Sequence, residues 1–93
     1  MRHYIIIKFK KDINWQSNLD EIRTLFNRAL QIEEVNSIQF NVSNSDRDNR
    51  SDLMIEMNLS EKGLMEFDAS DIHKEWKNNF GESIESKVIF DCE

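Results

Sequence analysis

Apolar positions along the chain switch between two periods, and the switches mark the elements. Residues 2–9, RHYIIIKF, are β-branched and aromatic, the profile of a strand covered on both sides. A period of two puts His3, Ile5, Ile7 and Phe9 on one face and Tyr4, Ile6 and Lys8 on the other. From Trp15 the spacing becomes three and four: Trp15, Leu19, Ile22, Phe26, Ala29 and Leu30 form one helical stripe. Asn14 or Asn18 is the candidate N-cap, and Asp20 and Glu21 suit the first turns after Asn18. Alternation returns in SIQFNV, with Ile38, Phe40 and Val42 opposed to Gln39 and Asn41.

A polar loop, SNSDRDNRSD (43–52), leads to the cleanest strand of the chain. There Leu53, Ile55, Met57 and Leu59 point in and Glu56 and Asn58 point out. Ser60 is placed to cap a short helix carrying Leu64, Met65 and Phe67. Ser70 is a second N-cap, before a helix whose stripe is Ile72, Trp76 and Phe80. Gly81 fits a left-handed residue closing that helix. KVIFDC is the last strand, with Val88, Phe90 and Cys92 on one face.

The order β-α-β-β-α-β, with the second helical region in two pieces, predicts an α+β, ferredoxin-like domain. Its four-stranded antiparallel sheet carries helices on one face only. Residues 1–93 leave room for one such domain. Tyr4, Ile6, Met54 and Ile89 then make the other face partly apolar, and a chain this small gains burial by covering it. A homodimer through the open sheet faces is the economical solution.

Net charge narrows the partners. At −6, with 12 Lys and Arg against 18 Asp and Glu, the chain is a poor match for a phosphate backbone, and no nucleic acid partner is expected. Lys8, Lys10 and Lys11 are interrupted by Phe9 and read as the solvated end of a strand. No long apolar run or signal peptide is visible, so no membrane partner is expected and a reducing cytoplasm is the expected compartment. The single Cys92 has Asp91 and Glu93 beside it, which is no setting for a reactive thiol.

RHYIIIKFK, SDLMIEMNLSEKGLMEFDASDIHKEW and KVIFDCE together resemble the stress-responsive A/B barrel domain (Dabb) family. That family opens with H-h-V-h-h-K-F-K, where h is apolar, and runs its third strand into a helix ending near H-P-x-H-x-x-F/W. It closes on h-h-D-h/F. Here Ser70 and Asp71 replace the first His and the Pro of the helix motif. The resemblance spans the chain and implies a dimer whose sheets pack face to face into an α+β barrel. One family member is a polyketide cyclase that works without metal or cofactor. By that resemblance His73 corresponds to its general base and His3 to a second pocket histidine. The cyclase's two pocket tyrosines and third pocket histidine fall on Phe67, Leu25 and Leu53, which are apolar here.

An imidazole suits proton transfer near neutral pH, and the family geometry brings His3 and His73 to one pocket. The expected ligand pocket is apolar, lined by Ile5, Ile7, Ile22, Leu25, Leu53, Ile55, Phe67 and Trp76. No metal or other cofactor is expected: beside two histidines, Asp71 and Glu75 lack ligand spacing. Asp46, Asp48, Asn49 and Asp52 lack the glycine and distal glutamate of a calcium loop. Two functions follow. One is a family dimer without assigned activity that binds a small apolar molecule or serves a stress response. The other is a cofactor-free carbonyl enzyme, a polyketide-cyclase-like lyase with His73 as base and His3 as polariser. A monooxygenase follows from fold analogy alone.

Overall fold

Three consecutive isoleucines hold Arg2–Phe9 extended as strand β1, one of the two inner strands of the sheet. The computed structural model describes residues 1–93. After β1 come a 3-10 turn (Trp15–Asn18), helix α1 (Leu19–Asn27) and a second 3-10 turn (Arg28–Gln31). Strands β2 (Val35–Val42) and β3 (Leu53–Leu59) follow, then α2 (Glu61–Asp68), α3 (Asp71–Phe80), a 3-10 turn (Gly81–Ser83) and β4 (Ile84–Cys92). The sheet order is β2-β3-β1-β4 with every neighbour antiparallel, the ferredoxin-like arrangement.

The helices cover the face carrying Ile5, Ile7 and Phe9 of β1 and Leu53, Ile55, Met57 and Leu59 of β3. Ile22, Leu25 and Phe26 of α1 and Ile72, Trp76 and Phe80 of α3 press onto it. Phe26 sits at the centre, its ring 4.9 Å from Trp76, 5.9 Å from Phe67 and 6.3 Å from Phe40. Ser60 and Ser70 cap as expected, accepting from the backbone N–H of Gly63 and of His73. Gly63 itself is required by a close approach: a Cβ there would lie 2.8 Å from the Glu34 carbonyl oxygen.

Several local expectations change. Neither Asn14 nor Asn18 caps through its side chain, because the chain enters α1 through a 3-10 turn that already has helical bonds. Leu30 is 43% exposed, since the tighter 3-10 turn rotates it off the α1 stripe and turns Ala29 inward instead. Met65 lies on the solvent side of α2. Gly81 has φ −55° and carries α3 on into a 3-10 turn; the left-handed residue of the chain is Glu34, at φ 71°. Strands β2 and β4 begin earlier than SIQFNV and KVIFDC, at Val35 and Ile84.

One correction alters the open face. Ile89 pairs with Ile5 and therefore lies on the helix side, while Phe90 pairs with Tyr4 and Val88 with Ile6. Tyr4, Ile6, Met54, Val88 and Phe90 thus share the uncovered face, where Val88 is 56% and Phe90 57% exposed. Tyr4 and Phe90 pack together with ring centroids 6.2 Å apart. No helix is long and apolar enough to cross a membrane.

Candidate functional site

Strand β4 runs along one edge of the sheet, so its helix-side residues form one wall of a cleft. The other wall is the end of α2 and the first turns of α3. The cleft has a volume of about 280 Å³. His3, Ile5, Lys87, Ile89 and Asp91 contribute from the sheet, and Leu64, Asp68, His73, Trp76 and Lys77 from the helices. The two histidines, 70 positions apart, therefore border one space.

His3 is 6% exposed. Its Nδ1 lies 2.5 Å from Oδ1 of Asp91, its direct partner in the β1–β4 register. A carboxylate only accepts, so Nδ1 carries the proton and donates it; in the neutral ring Nε2 is then the acceptor. His73 is positioned by the Ser70 cap and by the edge of the Phe67 ring, 5.4 Å away and steeply inclined. Burial and the positive charge of Lys77 hold the His73 pKa below the ordinary 6.5; Lys87 adds to the effect and Asp68 opposes it. A neutral His73 ring presents both a donor and an acceptor.

The lining differs from the apolar chamber that the sequence suggests, because six of its ten residues are ionisable. Of the eight expected lining residues, only Ile5 and Trp76 border this cleft. Ile7, Ile22, Leu53, Ile55 and Phe67 are closed into the core at 0–1% exposure, because the helices seat directly on the middle of the sheet. Leu25 borders a separate groove between α1 and α3, bridged by an Arg28–Glu75 ion pair of 2.8 Å. Asp68, Lys77, Lys87 and Asp91 are the cleft groups that the sequence reading passed over. Lys77 lies at i+4 from His73, hence on the same helical face, and Asp91 is the acid of the closing h-h-D motif.

A larger depression, of about 450 Å³, lies between residues 8–16 and the loop around Asp48. It holds no histidine or cysteine, and one ion pair lies within its lining. Lys11 pairs with Asp48 at 3.5 Å, and Lys8 bonds the Asp48 carbonyl. Asp52 accepts from the Phe9 N–H at 2.8 Å, fastening the loop to β1. No group of three His, Cys, Asp or Glu is arranged to hold a metal ion.

No family model and no curated protein matches the chain. Solved structures do. A dimeric ferredoxin-like protein of unknown function from Thermobifida fusca superposes with a TM-score of 0.79 at 13% identity, over 96% of this chain and 85% of that one. A hydroxynitrile lyase from Passiflora edulis gives 0.75 at 19%, over 96% and 87%. A Dabb family protein from Mesorhizobium loti gives 0.73 at 11%, over 99% and 93%. At these identities the likeness is one of fold, and the chain has the ferredoxin-like fold of these proteins.

Proposed function

We propose that the chain is a Dabb-type homodimer whose cleft binds a small carbonyl compound and moves a proton on it with two imidazoles. The observation that carries this is the His3–Asp91 hydrogen bond in the cleft that also holds a neutral His73. A carboxylate behind Nδ1 fixes the tautomer of His3 and stabilises the imidazolium formed when Nε2 accepts a proton. The sequence reading gives the base role to His73 and the polarising role to His3; the bonding pattern supports the exchange of these roles. His3 Nε2 takes the proton from the carbon next to the carbonyl, the C–H electron pair forms the C=C bond of the enolate, and the carbonyl π pair moves onto the oxygen. The neutral His73 N–H donates a hydrogen bond to that oxygen.

The dimer reading rests on the exposed Tyr4, Ile6, Met54, Val88 and Phe90 face and on the dimeric state of the Thermobifida fusca protein. The lyase reading draws support from the Passiflora edulis enzyme on the same fold. Exchange of α-protons with deuterium, followed by NMR across a panel of short ketones and oxo acids, tests the chemistry. The wild type should exchange at least one panel member faster than His3→Ala, with His73→Ala intermediate. Equal rates in all three across the panel would reduce the site to a binding cleft.

A further inference from the structure

We propose that the compound taken by this cleft carries a carboxylate, held by Lys77 and Lys87, which makes a short oxo acid the substrate class. The inference rests on the carbonyl-site reading above. Lys77 stands one turn beyond His73 on α3, and Lys87 stands on β4 opposite Ile7, so ammonium groups reach the cleft from both walls. Neither is in an ion pair, a state shared with Arg2, Lys10, Arg47, Arg50 and Lys74, none of which lines this cleft. Asp91 is engaged by His3, and Asp68 is the other carboxylate of the lining.

Two ammonium charges balance the carboxylates of Asp68 and Asp91 while His3 is neutral, so the lining takes a monoanion with less repulsion than a dianionic phosphate. The chain as a whole carries −6, so a carboxylate is repelled over most of the surface and meets less repulsion where two ammonium groups balance the local carboxylates. Both lysines are exposed, so each contact is worth little alone and the pair supplies the selectivity. Ile5, Leu64, Trp76 and Ile89 are left to receive the carbon skeleton. Lys77 and Lys87 also help to keep His73 neutral, so the groups that hold the acid favour its donor role.

The test uses the full chain, labelled with nitrogen-15 and titrated at low salt with 4-oxopentanoate and, separately, its methyl ester. The acid should shift the His73, Lys77 and Lys87 amides saturably and bind about tenfold more tightly than the ester. Lys77→Met and Lys87→Met should each weaken the acid roughly two- to fivefold, and together about tenfold, without affecting the ester. Lys→Arg at either position should retain binding, and about 0.5 M NaCl should erase the preference. Equal binding of acid and ester, unmoved by the lysine substitutions, would overturn the carboxylate site and leave the carbonyl cleft standing. Lysine-dependent acid binding without any proton exchange would support the carboxylate site and overturn the catalytic reading. No cleft shift with either compound would sink both.

Discussion

His3 and Asp91 are direct cross-strand partners on β1 and β4, and their side chains meet at 2.5 Å on the helix side of the sheet. Cross-strand partners share a face, so the strand register itself places the carboxylate behind the imidazole. Asp91→Asn should shift His3 away from the Nδ1–H tautomer, visible in the nitrogen-15 shifts of the ring, because the amide can present a donor as well as an acceptor. With Asp91 about half exposed, the stability loss should be about 1 kcal/mol by urea denaturation. Any proton exchange found for the wild type should fall about tenfold or more. An unchanged tautomer would mean that the pair does not orient the ring in solution.

The Tyr4–Phe90 contact lies on the opposite face, among residues that no helix covers. Covering Phe90 in a symmetric dimer counts twice, so Phe90→Asp should cost about 3 kcal/mol or more of association. Sedimentation velocity should show a wild-type dimer at micromolar concentration and a folded monomer for the variant. A wild-type monomer under those conditions would remove the dimer from the account.

Gly63→Ala should destabilise the fold by about 1–3 kcal/mol, because its Cβ would press on the Glu34 carbonyl, a rigid backbone atom that also accepts from the Ser60 N–H. Thermal unfolding of the variant checks this. A gain in stability, as expected for Gly→Ala in an open helix, would show that the loop before β2 yields freely.

How much of this was legible in the sequence depends on whether a position is set by its own element or by its neighbours. The order of elements along the chain, the Ser60 and Ser70 caps and the buried stripe of α3 follow from local periodicity, and they are present. The face of Ile89 was not legible, because Val88, Ile89 and Phe90 are all apolar and only the pairing with β1 decides their sides. The same pairing creates the His3–Asp91 bond across 88 positions. The lining is not legible for another reason. Hydrophobicity identifies what the helices bury, whereas this cleft opens where they stop, along the β4 edge, and collects charged residues. The left-handed position likewise fell at Glu34 rather than at a glycine, a choice dictated by the route into β2.

His73 links the cleft to pH. Burial and Lys77 hold its folded-state pKa below 6.5, so between that lowered value and 6.5 the unfolded chain binds a proton that the folded chain does not. Stability therefore rises with pH through this window. The contribution is fully present above 6.5 and is lost as pH falls toward the folded-state value. His73→Gln, which does not titrate, should flatten this part of the urea-stability profile and leave the remaining acid response unchanged. Lys77→Met should raise the His73 pKa, measured by proton NMR of the ring, and shrink the slope, because of the two nearby ammonium groups Lys77 has the stronger effect on the ring. The same variant should require higher pH to keep His73 a neutral donor, shifting the acid limb of any proton-exchange profile upward. A His73 titration at or above 6.5 in the wild type would show that the ring is open to water, and the neutral-donor role would fall with it.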